Sequence, residues 1–124
     1  MKILIIIIRS LLGLAFVASG FNAIKPFIPA PTPPEGLAGD FTKALFVSHY
    51  FYVVAILQIV GGALLLIGRF VPLGLTLLGP VIVNILLYHI FLEPKGLAAA
   101  IVVALFALIV LGYHREAFKG LLKP

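Results

Sequence analysis

The sequence has no cysteine and no tryptophan among its 124 residues. The missing cysteines exclude disulfides, thiol redox chemistry, thiolate metal sites and cysteine-held iron–sulfur clusters. Charge is scarce as well: 10% of residues, with only 4 Asp plus Glu against 9 Lys plus Arg. A soluble domain carries about 25% charged residues. Too few polar side chains are present to cover a soluble surface, and too many apolar ones for disorder. The carboxylates Glu35, Asp40, Glu93 and Glu116 all fall outside the apolar runs, which disfavours a buried proton relay. No Gly-rich phosphate loop opening a helix, HExxH or nucleophile elbow is present, so no catalytic constellation can be named.

What the sequence has in abundance is apolar residues, at 63%, with a mean hydropathy of +1.26. They are gathered into four runs, at about 3–24, 46–68, 73–92 and 97–113. The runs are continuously apolar, whereas the strands of a membrane barrel alternate. The expectation is an all-α fold: one integral membrane domain over 1–124, an antiparallel four-helix bundle in contact with the lipid bilayer. A rival reading of the first run is a cleaved signal peptide, which Arg9 inside the apolar stretch opposes.

The net charge of +5 reads as an orientation signal, not as a nucleic-acid patch, because the cations lie between the runs. Lys2, Arg69, Arg115, Lys119 and Lys123 share one side; Lys25, Lys43 and Lys95 share the other. The richer side is expected to be cytoplasmic, with both termini there and the chain in a cell (inner) membrane. The turns 68–72 and 92–96 are tight and make their flanking helices antiparallel neighbours. The outer connection 25–40 holds Pro26, Pro29, Pro31, Pro33 and Pro34. It reads as a stiff, extended connector or as a lid over an outward pocket.

Polar residues inside apolar spans mark function or helix contacts. Arg9, Gly13, Phe16 and Gly20 follow i, i+4, i+7, i+11 and share a helix face. Arg9 either snorkels to headgroups or anchors an anionic or carbonyl ligand. Gln58 shares a face with Val54, Gly61, Gly62 and Leu65, fitting an interhelical hydrogen bond or a contact to a bound head group. Asn84 and Tyr88 share a face of the third span, one turn beyond Pro80, which frees a carbonyl near Thr76. Asn84 has Gln58 or Arg9 as candidate partners. His49 and His89 fall at the same outer end. Helical phase disfavours a bis-histidine haem or two-histidine metal site, and interfacial anchoring beside Tyr50, Tyr52 and Tyr88 is the simpler reading. Ala100, Ala104 and Ala107 give the last span a small-residue seam, and the tail from Tyr113 alternates cations with Phe118, Leu121 and Leu122, as a surface-lying end would.

Three groups of residues together resemble the DoxX family of small four-span membrane proteins. The first is Arg9-x3-Gly13-x2-Phe16-x3-Gly20. The second is Gly61-Gly62 followed by Gly68-Arg69. The third is Val83-Asn84-Ile85 with His89. The resemblance covers nearly the whole chain. It implies association with membrane oxidoreductases, since the family is named for a subunit linked to a quinone-reducing enzyme, while other relatives are redox partners or assembly factors. Relatives often carry an acid where this chain has Gln58, and Asn-His where it has Asn22-Ala23. Those departures tilt the expectation away from independent catalysis.

Two readings follow. In one, the protein is an accessory subunit that binds a quinone or another lipid-like molecule. Arg9, Phe16, Gly20, Gln58, Gly61, Asn84 and Tyr88 would form its site, and a membrane or soluble redox protein or a second copy would be its partner. In the other, it is a structural or assembly protein whose intramembrane amides serve only folding. A small transporter is disfavoured, since no inverted repeats are visible.

Overall fold

A computed structural model describes residues 2–27 and 34–124, the side chain of Leu122 excepted. Five α-helices follow one another: α1 (Lys2–Ile24), α2 (Gly36–Val47), α3 (Phe51–Ile67), α4 (Val71–Phe91) and α5 (Leu97–Tyr113). Single 3-10 segments, Pro94–Gly96 and Arg115–Leu122, precede and follow α5. Among the described residues there is no strand.

Local chemistry sets the helix ends. At the end of α1 the Phe27 N–H donates to Asn22 Oδ1 at 3.0 Å. Helix α3 stops at Gly68, whose φ of +83° lets its N–H turn back onto the Leu64 carbonyl. Pro72 then opens α4, where its missing N–H costs nothing. Pro80 sits inside α4, and the helix runs through it. Its missing N–H leaves the Thr76 carbonyl without its usual donor.

Helix α1 packs most extensively on α3, α3 on α4, and α4 on α5, while α5 returns to α1. The bundle is antiparallel. Leu12, Leu65, Leu78 and Val110 are its fully buried side chains, drawn from α1, α3, α4 and α5. The outer faces are apolar as well: Ile3, Leu11, Phe91 and Leu108 are all exposed. Only a bilayer makes such a surface favourable. Helices α1, α4 and Pro94–Tyr113 are each long and apolar enough to cross a membrane.

The second crossing departs from expectation. A continuous span over 46–68 is expected from the apolar run, yet α2 and α3 meet at an 84° bend. The break lies at Ser48, His49 and Tyr50. His49 adopts φ 65°, and the Ser48 hydroxyl accepts the Tyr50 N–H at 3.2 Å, offering the backbone an alternative to helix. Helix α3 alone, at 17 residues, is about 25 Å long, slightly short of the ~30 Å hydrocarbon core. Helix α2, at 12 residues, is about 18 Å long and cannot cross by itself. The expected connector 25–40 is likewise shorter than its composition suggests. Once the prolines end at Pro34, α2 begins at Gly36. Ile28, Pro29, Pro31 and Pro33, on which the lid reading leans, lie outside the described residues.

Candidate functional site

Two glycine contacts bring three helices together. A Cβ on Gly13 would come within 2.6 Å of the Gly62 carbonyl oxygen, and one on Gly62 within 2.7 Å of the Gly13 oxygen. The neighbouring Gly61 faces the other way, where a Cβ would lie 3.2 Å from the Gly74 oxygen and 2.7 Å from Leu78. Adjacent glycines on α3 therefore serve two crossings, to α1 and to α4. Phe16 is buried beside Gly62 in the same seam. Gly20 sits farther along α1, where a Cβ would collide with the Ala55 carbonyl and Ile59 and press on the Gln58 stem at 3.3 Å. The seam is tight, and Phe16, Gly20 and Gly61 lie within it and not among the residues lining the cleft described next.

The seam opens on one side. Beneath the bent α2, and between α3 and α4, lies a cleft of about 710 Å³. Its walls are mostly apolar: Phe41 and Leu45 of α2, Val54 and Leu57 of α3, Val81 and Ile85 of α4. Helix α2 makes few contacts with the bundle and stands over this space. Phe41 reaches Tyr88 across it, with ring centroids 5.6 Å apart. Well-packed interiors leave few voids larger than a water molecule. A volume of this size falls within the range of about 300–1,000 Å³ typical of small-molecule sites.

Three of the expected site residues line the cleft together: Gln58, Asn84 and Tyr88. The Gln58 Oε1 is buried and has no hydrogen-bond partner. A buried orphan of this kind costs about 1–3 kcal/mol. Asn84 pairs with neither Gln58 nor Arg9. Its Nδ2 donates to the Pro80 carbonyl at 2.8 Å, a back-bond along its own helix. Thr42, Ser48 and His89 also line the space. Thr42 and Ser48 could not be joined to Gln58 from the sequence because α2 was not legible as a separate helix, and helical phase had set His89 apart.

Arg9 stands elsewhere. Its guanidinium lies against Gly68 at the opposite end of α3, where a Cβ would collide with Nη1. The Arg9 Nε is buried without a partner. His114, just beyond α5, is held below its ordinary pKa by burial and, secondarily, by the charge of Arg9. A single head group meeting Arg9 and Gln58 at once is therefore not what this arrangement offers, although helical phase had put Arg9 on the face of Phe16 and Gly20.

The histidines go separate ways. His89 lies over Gly96, with Nδ1 2.8 Å from the Glu93 carbonyl oxygen. His49 stacks on Tyr52 at 5.8 Å between centroids and is not among the cleft residues. Among the described residues no group of three or more His, Asp or Glu is gathered as a metal site would need.

The family model described as DoxX matches residues 4–91, from the first turn of α1 to the last residue of α4. The chain belongs to the DoxX family. No curated protein matches it, and no solved structure does. As a DoxX member with several apolar crossing helices it is a multi-pass membrane protein. The match takes in the glycine seam and every residue lining the cleft, and stops before α5. In this DoxX chain α5 buries Ala100 and Val110 against the bundle.

Proposed function

We propose that this DoxX protein is an accessory membrane subunit that holds one lipid-like ring molecule, of the quinone class, in the cleft beneath α2. The observation that carries this reading is Gln58, which lines an apolar space of about 710 Å³ with its Oε1 buried and without a partner. Orphaned polar groups in native folds call for a partner, and a bilayer core offers no water to provide one. A quinone ring fits both halves of the requirement. Its substituents and tail suit Val54, Leu57 and Ile85, and its oxygens suit an amide. The Gln58 side chain can offer a ring carbonyl its Nε2 or, turned so that the shielded Oε1 faces the cleft, accept from a ring hydroxyl. Asn84 and Tyr88, one helical turn apart on α4, supply further polar contacts.

Binding without turnover is the natural use of these groups. An amide cannot take up or release a proton near neutral pH, unlike the acid that the family resemblance leads one to expect at position 58. We further propose that the protein lies in the inner membrane with both termini cytoplasmic, on the side of Lys2, Arg69, Arg115 and Lys119. The cleft then opens toward the outer half of the bilayer, and a partner redox protein would exchange the ligand there.

The test is lipid extraction and mass spectrometry of the purified protein. One ring-bearing lipid per chain is expected in the wild type, and its loss in Gln58→Leu and Asn84→Leu. If wild type and variants carry only the same bulk phospholipid, the cleft is a lipid-filled packing feature and the amides serve the fold alone.

A further inference from the structure

We infer that Arg9 anchors the phosphate of one anionic phospholipid at the end of the bundle that carries both termini. The site lies apart from the cleft, at the other end of α3, and does not depend on what the cleft holds. Helix α1 begins at this end, α3 stops at Ile67, α4 starts at Val71 and α5 stops at Tyr113. Arg9 is half-buried. Its guanidinium lies against Gly68, the left-handed residue that ends α3, and a side chain there would collide with it. The partial negative charge at the C-terminus of α3 favours a cation in this seat. That field accounts for the charge but leaves the N–H donors unused. Among the described residues Arg9 makes no hydrogen bond and no ion pair. Of its nitrogens only Nε is shielded without a partner. The two Nη groups, equally without an acceptor, therefore keep access from outside the chain.

No carboxylate at this end is free to meet them. Glu116 is held by Lys119 at 2.8 Å. Glu35 and Asp40 belong to the α2 end, and Glu93 follows α4 at the far end. The neighbours are instead basic. Arg69 follows Gly68 directly, and Arg115 follows His114. His114, held below its ordinary pKa first by burial and then by Arg9, is close enough to feel that charge. Phe118 packs against the core and keeps the basic segment Arg115–Leu122 on the bundle. A lone cation on an apolar helix is costly, so its partner is an anion supplied from outside. A phosphate fits, because its paired oxygens match the two Nη groups of a guanidinium. The end of a membrane-crossing bundle is also where lipid phosphates lie. A choline head group would bring one more cation beside Arg69 and Arg115, so a lipid with net negative charge is preferred. An arginine that only snorkels is exposed among many head groups. The half-buried seat against Gly68 has room for one.

The test uses the full-length protein in nanodiscs of phosphatidylcholine with a minor fraction of phosphatidylglycerol bearing the same tails. Native mass spectrometry counts the lipid retained after bulk lipid is stripped. One phosphatidylglycerol per chain is expected, enriched about tenfold over its share of the disc, as a charge-assisted hydrogen bond allows. Arg9→Gln should return the retained lipid to the disc composition. Arg9→Lys keeps the charge beside α3 but not the fork; it should fold and lose most of the enrichment, and it decides the matter if Arg9→Gln does not fold. Lys123→Gln, at the exposed tail, and Gln58→Leu, in the cleft, should leave the enrichment unchanged. Retention in disc proportion by the wild type, or enrichment unchanged in the Arg9 variants, overturns the site. A loss in Lys123→Gln as large as in Arg9→Gln shows diffuse attraction and overturns it too. A loss in Gln58→Leu would put the lipid in the cleft instead. Displacement by millimolar inorganic phosphate would make the occupant a free anion and overturn the lipid assignment.

Discussion

Gly13 of α1 and Gly62 of α3 meet backbone to backbone, each leaving no room for a Cβ on the other. The contact makes a close crossing of α1 and α3, and the adjacent Gly61 meets α4 on the far side of α3. Gly62→Val is therefore expected to lower stability by about 1–3 kcal/mol, as overpacking does in tight cores. Loss of helicity on titration with a denaturing detergent measures it. Gly79→Ala on α4 is the control. Nothing lies within 4 Å of a Cβ there, so it should be neutral or slightly stabilising.

Gln58 sets stability against occupancy. Its buried oxygen has no partner within the chain. Gln58→Leu should raise the thermal stability of ligand-free protein by an amount on the order of 1 kcal/mol, because it removes an unsatisfied group. The same change should abolish co-purified ring lipid. A variant that is less stable when empty would mean that the amide contributes to folding through a contact the cleft does not explain.

His114 makes stability depend on pH in a defined direction. Burial, then Arg9, holds its folded-state pKa below the ordinary 6.5. The folded protein thus favours the neutral imidazole. This contribution is fully present above pH ~6.5, where neither state binds the proton. It is lost as pH falls through that value toward the folded-state pKa, because the unfolded chain protonates first. Melting curves between pH 8 and pH 5 should show wild type weakening toward acid. Arg9→Gln should weaken less, and His114→Gln should lack this component.

The absence of cysteine makes topology simple to read. Single cysteines at Lys2, Arg69 and Lys119 should all be blocked by an impermeant thiol reagent only after the membrane is opened. Cysteines at Lys43 and Lys95 should react in intact cells. Lys43 reacting from the same side as Lys2 would mean that α2 and α3 are not arranged as one bent crossing with α2 at the outer end.

The helical, membrane-embedded fold was legible because twenty-residue apolar runs admit few other solutions. The glycine seam was legible in part. Period 3.6 put Gly13, Phe16 and Gly20 on one face, but could not say that Gly61 and Gly62 would turn to different partners. The bend at Ser48–Tyr50 was not legible, since no proline or glycine marks it and Phe46 through Tyr52 reads as one continuous stretch. The left-handed φ of His49 accompanies the bond from the Tyr50 N–H to the Ser48 hydroxyl, which the sequence pattern does not announce. The site followed the same division. Gln58, Asn84 and Tyr88 were singled out by their cost inside a membrane, and all three line the cleft. The grouping of Arg9 with them failed, because facing the same neighbour, α3, does not mean meeting it at the same depth.

The most direct test of the central claim is site-specific photo-crosslinking in native membranes. A diazirine-bearing leucine analogue is placed at Leu57 or Ile85 in the cleft wall, and at Ile101 on the exposed face of α5. After illumination, intact-protein mass spectrometry should show one adduct of a single mass at positions 57 and 85. Position 101 should show the mixed masses of bulk phospholipid. The same phospholipid mixture at all three positions would contradict a dedicated ligand in the cleft.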